Sequence, residues 1–187
     1  VYDLPIDDLA HAFDQVLLVD LVHLRPARLA ARRFANVRLV SRDLTESLEN
    51  IHAGKPVAET PNGFLDDPAI DFVVSLNLAS QLPVIPLAWL ERRGVADEDA
   101  RAALGRRLIE AHLEYLGRFN CPVCLITDVE RIHHDAAGKE VRREAPLHGV
   151  PLPVGGESWI WDIAPLGEID GDTVVSHRVT AVQLNRS

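Results

Sequence analysis

The sequence predicts an α/β domain. Its sheet is doubly wound and mostly parallel, has helices on both faces, and ends in an antiparallel C-terminal hairpin. Three observations lead there. Val16-Leu17-Leu18-Val19 is an apolar run without polar alternation, the pattern of a strand covered on both faces. That run stops at Asp20, and Val37-Arg38-Leu39-Val40 runs in the same way into Asp43, 23 residues later, the length of one α/β repeat. Trp159 to Val182 holds two strand-like runs joined by a turn and no helix, a connection open to antiparallel neighbours.

The elements follow in order. Asp3 or Asp7 is placed to cap a helix through Leu9, Ala10 and Phe13, with Pro5 near its first turn. After the strand Val16 to Asp20, Pro26 opens a helix to Phe34, on which Leu29 and Arg33 lie four apart and Ala30 and Phe34 share a face. Its arginines, Arg28, Arg32 and Arg33, with Arg25 ahead of them, read as a solvated outer face. Thr45 to Ile51 predicts a short helix, and the proline-rich stretch from His52 to Ala69 is a connection long enough to suggest a functional or mobile loop. Ile70 to Asn77 is the next strand. Leu87 to Arg93 is a helix ending at Gly94, and a long helix runs from about Asp97 to Phe119. On that helix His112 joins an apolar stripe with Leu104, Leu108, Ala111 and Tyr115, as a packed core residue would. Cys121 to Thr127 is a strand ending at Asp128. The polar stretch Val129 to Gly156 reads as an excursion over the top of the sheet. Ser158 to Ile163 and Val174 to Val182 form the last pair, with Gly167 and the turn Asp170-Gly171-Asp172 between them.

Composition narrows the function. Of 187 residues, 47% are apolar and 25% charged, as in an ordinary globular domain, and the net charge of −9 argues against broad binding to nucleic-acid backbone. No apolar run is long enough to span a membrane, and no signal-peptide pattern opens the chain. Cys121 and Cys124 form one C-x-x-C inside a strand-like run, whereas a redox pair usually sits at a helix start. Zinc would need further ligands such as His133 and His134. We read the pair as buried, inert thiols of a cytoplasmic protein. The chain opens on Val1, lacks Met, and begins helix–strand, so we expect residues, including one strand and its loop, ahead of Val1.

The order strand–acid, helix, strand–acid, helix, strand–polar end, helix, strand, antiparallel pair resembles that of the class I S-adenosylmethionine-dependent methyltransferases, whose Rossmann-like sheet has its last strand inserted antiparallel. The resemblance covers nearly the whole chain if the first strand lies upstream. The family's Gly-rich loop after that strand does not occur in these residues. The resemblance implies S-adenosyl-L-methionine as cofactor. It implies that Asp20 holds the ribose hydroxyls, that Leu21 and Val22 flank the adenine, and that Asp43 receives the adenine amino group while Leu44 packs on the ring. It places Ser75, Leu76 and Asn77 near the methionine portion and the reacting methyl. These residue types suit adenosine, which needs acceptors for its hydroxyls and amine and an apolar slot for its ring.

Methyl transfer from a sulfonium is a direct displacement, for which the protein supplies alignment and desolvation. Where the acceptor must lose a proton, Asp128, Glu130, His133 and His134 are the candidates for base, with Asp128 and His133 put first. Neighbouring His133, His134 and Asp135 do not suit one metal ion, so no metal is expected. The acceptor is expected to be a small molecule. No Asn-Pro-Pro-aromatic signature follows the third strand, where Ser75-Leu76-Asn77-Leu78 stands instead. The segments 52–69 and 129–156 are expected to shape the acceptor pocket. Two other readings stand beside this one: a NAD(P)-dependent oxidoreductase, and a non-catalytic relative that kept the fold and lost the cofactor.

Overall fold

The computed structural model describes residues 4–55, 57, 60–164 and 173–185. Their order is α1 (Ile6–Ala12), β1 (Val16–Asp20), α2 (Arg25–Ala31), β2 (Val37–Ser41), α3 (Leu48–His52), β3 (Val73–Leu76), α4 (Val84–Arg93), α5 (Glu98–Gly117), β4 (Val123–Asp135), β5 (Glu140–Glu144), β6 (Glu157–Ala164) and β7 (Thr173–Asn185). The chain is a mixed α/β protein. No helix among the described residues is long and apolar enough to cross a membrane.

The strands form two sheets. β1 and β2 pair in parallel, Val16 against Val37 through Asp20 against Ser41. The second sheet has the order β3-β4-β7-β6, with β5 on the far part of β4. In it β3 runs parallel to β4, and β7 is antiparallel to both β4 and β6. The expected C-terminal antiparallel pair is therefore present. Gly167 and the turn at 170–172 lie outside the described residues.

Local chemistry accounts for most boundaries. Asp7 and Asp8 sit in the first turn of α1, where the helix dipole favours acids; Asp7 is not the cap but pairs with Arg33 at 2.8 Å. Asp3 lies outside the described residues. α2 ends at Ala31, earlier than expected, and it buries Ala27 and Ala31 while Leu29 faces water. α4 starts a turn earlier than the sequence suggested, straight after Pro83, and stops at Gly94, whose left-handed φ of 62° closes the helix. α5 is capped as expected: Asp97 accepts the Ala100 N–H at 2.8 Å. α5 packs its inner face on the second sheet, where Ile109, Leu116, Val123 and Leu125 are buried in one cluster with Tyr115 and Phe119. A smaller cluster of Ile6, Ala31 and Val37 joins α1 and α2 to β2.

The C-terminal half departs most from expectation. β4 does not stop at Asp128 but continues to Asp135, and β5 folds back on it, so 129–156 is no simple excursion over the sheet. The extension is polar because its strands pair through charge. Glu130 accepts from Arg143 and Arg178, each at 2.8 Å. The loop 52–69 is pinned at its second half: Tyr115 Oη donates to the Gly63 carbonyl at 2.7 Å, and Glu46 accepts the Asn62 and Gly63 amides at 3.1 Å. Cys121 and Cys124 are unbridged and half-buried, rather than fully buried; burial pushes both thiols up, which keeps them protonated and unreactive.

Gly156 marks a tight approach beside β6. Its φ is 149°, and a Cβ there would fall on the backbone carbonyl of Ala181. Gly138, in the β4–β5 turn at φ 79°, has open space around it. Gly156→Ala is expected to lower stability by roughly 2 kcal/mol or more and Gly138→Ala by about 1 kcal/mol, read by chemical denaturation. Equal losses would contradict the backbone contact.

Candidate functional site

The carboxyl ends of β1, β2 and β3 meet. Asp20 and Leu21 after β1, Arg42, Asp43 and Leu44 after β2, and Leu78 after β3 line one pocket of about 110 Å³. A larger cavity of about 510 Å³ adjoins it, sharing Asp20, Leu44, Leu78 and Gln81, and runs down between β1 and β3. Asp20 and Asp43, which follow successive strands, both line the smaller pocket.

Their surroundings differ. Asp20 is exposed and lines the pocket; its Oδ1 accepts the Val22 N–H at 3.4 Å, which leaves most of the carboxylate's acceptor capacity unused. Asp43 is saturated. Its Oδ1 accepts from the Thr45 N–H at 2.9 Å and the Thr45 hydroxyl at 2.7 Å, and its Oδ2 accepts the amides of Ser47 at 3.0 Å and Leu48 at 2.9 Å. A carboxylate has about four lone-pair sites, so Asp43 spends its capacity on the turn that starts α3. The same turn sets Leu44 and Leu48 on the pocket wall. Arg42, also on the wall, is held at 2.6 Å by Glu46, and lies over the Phe64 ring at 5.2 Å. Burial pushes Glu46 up, but Arg42 and the Asn62 and Gly63 amides outweigh it and hold the carboxyl below its usual range.

The other expected residues separate into groups. Leu21 lines the pocket, whereas Val22 is exposed and lines neither cavity. Ser75, Leu76 and Asn77 line the larger cavity. Ser75 is turned toward α5, where its Oγ bonds His112 Nε2 at 2.9 Å. Asn77 adopts φ 51° at the strand exit, and its buried Oδ1 has no hydrogen-bond partner. His112 is packed, as the apolar stripe suggested, and burial pushes its imidazole down from 6.5 to about 4.

Asp128 and His133 stand away from these pockets. Asp128 is buried, and its carboxylate accepts from the Ser80 hydroxyl and from Arg131 Nε at 2.8 Å, with His177 Nδ1 at 3.5 Å. It ties β4 to β7 and to the turn after β3. Burial pushes His177 below its usual range, with Asp128 offsetting part of the effect. His133 Nε2 lies 3.2 Å from Glu144 on β5, and Glu130 is taken by two arginines. His134 follows on the opposite side of the pleat. Among the described residues, no three His, Cys, Asp or Glu side chains are grouped as a metal site would require.

Sequence reasoning missed the third wall of the smaller pocket, made by Leu78, Gln81 and Leu82 in the turn after β3 and by Ile85 and Pro86 in the first turn of α4. Pro83 and Pro86 were the available signal, since proline favours a first helical turn. Comparison with known proteins gives no further guide: no family model, no curated protein and no solved structure matches the chain.

The His112 environment yields a pH prediction. Its folded pKa lies below its unfolded one, so the unfolded chain binds the extra proton between about 6.5 and about 4. The stability is present above pH 6.5 and is lost as pH falls toward 4. The loss reaches about 3 kcal/mol at the low end. Urea denaturation at pH 7 and pH 4.5 is expected to show it, and His112→Leu to flatten the slope. An unchanged slope in that variant would assign the dependence to other groups.

Proposed function

We propose that the chain is a S-adenosylmethionine-dependent methyltransferase with a Rossmann-like sheet, acting on a small-molecule acceptor. One observation carries the reading. Asp20 and the Asp43–Leu44 turn, from consecutive strand–helix units, line one pocket at the carboxyl ends of parallel strands. That is where open α/β sheets hold nucleotide ligands. The order β3-β4-β7-β6 with an antiparallel β7 also supports it, because the resemblance in element order predicts an inserted antiparallel last strand.

The residues suit the cofactor. The exposed Asp20 carboxylate offers acceptors to two ribose hydroxyls. Leu21, Leu44, Leu78 and Ile85 offer apolar surface to an adenine ring. The unpartnered Oδ1 of Asn77 offers an acceptor to the ammonium of the methionyl end. In this structure Asp43 works from behind, fixing the turn that carries Leu44; accepting the adenine amine would require it to give up one of its four bonds. When bound, the cofactor supplies an electrophilic methyl group. The chain's part is to orient it and exclude water. Asp128 and His133 are engaged in bridging strands, so neither is assigned as a base.

Titration calorimetry with S-adenosylhomocysteine and with NAD tests the reading. Binding of the first alone is expected, and Asp20→Ala is expected to weaken it by tenfold or more, as loss of charge-assisted hydrogen bonds to hydroxyls would. Val22→Ala is expected to leave it unchanged. Binding of NAD alone would favour an oxidoreductase, and binding of neither would favour a non-catalytic module.

A further inference from the structure

We infer that β4 positions the third wall of the smaller pocket, and that Asp128 and Ser80 are the residues through which it does so. Asp128 holds the Ser80 hydroxyl, and Ser80 sits in the turn that carries Leu78, Gln81 and Leu82 onto the pocket. That the pocket's ligand is an adenosine rests on the cofactor reading above. That β4 sets the wall rests on the contacts alone.

The turn from Asn77 to Pro83 joins β3 to α4. Most of its hydrogen bonds are local. The Gln81 and Leu82 amides both donate to the Leu78 carbonyl, at 2.9 and 3.0 Å, and the Val84 amide donates to the Gln81 carbonyl at 3.0 Å. Among the described residues, two bonds tie the turn to another element, and both go to β4. The Asn77 amide donates to the Ile126 carbonyl at 2.7 Å, and the Ser80 hydroxyl donates to Asp128 Oδ1, two residues further along the strand. β4 thus grips the turn at its first residue and again at its middle.

The backbone there needs such a grip. Asn77 sits at φ 51°, a left-handed conformation that a residue other than glycine keeps only where its surroundings enforce it. Ala79 and Pro83 are buried, Ala79 in the cluster around α5. That packing sets depth but not direction, because apolar contact is non-directional. A hydrogen bond to a carboxylate supplies direction.

Asp128 is itself fixed. It is 3% exposed, and its Oδ2 accepts from Arg131 Nε at 2.8 Å, with His177 Nδ1 of β7 at 3.5 Å. β4 carries a bulge directly after it, where the register against β7 shifts between Asp128 and Glu130. Bulges re-aim side chains. A buried carboxylate is costly, and apolar side chains hold two paired strands together as well as an ion pair does. Apolar side chains cannot accept a hydroxyl from the turn. The residue put forward from sequence as a base therefore acts one step removed, as a positioning residue, through Ser80.

Amide exchange followed by NMR in the unliganded protein, together with calorimetry for S-adenosylhomocysteine, tests this. Ser80→Ala is expected to speed exchange at the Gln81 and Leu82 amides by roughly tenfold or more, to leave the amides that pair β4 with β7 within about twofold, and to weaken S-adenosylhomocysteine about tenfold, as loss of one bond to a charged group would. Asp128→Leu is expected to loosen the same two amides to the same extent, and Ser80→Ala added to it to loosen them no further, since both act through one bond. Unchanged exchange at Gln81 and Leu82, or additive losses in the double variant, would overturn the proposal. So would exchange in Ser80→Ala that rises evenly over β4 and β7, the mark of a general stabiliser, or a loosened turn with undiminished affinity. If the unaltered protein does not bind S-adenosylhomocysteine, the cofactor reading fails, and the exchange rates decide by themselves whether β4 holds the turn.

Discussion

Strand polarity is the constraint on which the rest depends. β1 and β2 run together, β3 runs with β4, and the stacked Phe13 and Phe72 bring the starts of β1 and β3 to one end. Their carboxyl ends therefore open on a common side. Reversing either pair would send Asp20 and Leu78 to opposite ends of the sheet and dissolve the pocket.

The acids at the element ends discussed above differ in what already bonds them. Asp43 starts α3, Asp97 starts α5, and Asp128 ties Ser80, Arg131 and His177 across the second sheet. Asp43 accepts four hydrogen bonds and Asp128 has three partners, while Asp97 accepts the one amide that caps its helix. Asp20 has one long amide contact and faces the pocket. An acid at a strand end is thus not informative by itself. The difference lies in what already bonds it. That separation moves weight from Asp43, where the resemblance in element order had put it, to Asp20 and to the apolar wall of Leu44, Leu78 and Ile85.

What could be read from sequence follows the same physics. β1 was legible because Val16 to Val19 is an unbroken apolar run ending at an acid, and β2 because Val37, Leu39 and Val40 make a short branched run one α/β repeat later. α5 was legible because its stripe repeats over 20 residues behind a capping aspartate. The far half of β4 was not. Arg131, His133 and Asp135 break any apolar pattern, and the strand is held by cross-strand partners, Glu144 for His133 and Arg143 with Arg178 for Glu130, that lie far along the chain. Gly138 between runs of charged residues was the one local sign of a hairpin there. The pocket's third wall was hidden for a related reason, since Leu82 and Ile85 reach it only through the turn after β3.

The central claim is that the open carboxylate and the apolar turn beside it grip one adenosine. A co-crystal structure with S-adenosylhomocysteine tests it most directly. The account predicts ribose hydroxyls within hydrogen-bonding distance of the Asp20 carboxylate and the purine ring against Leu44. A ribose bound elsewhere, or a purine on the far side of β2, would contradict it.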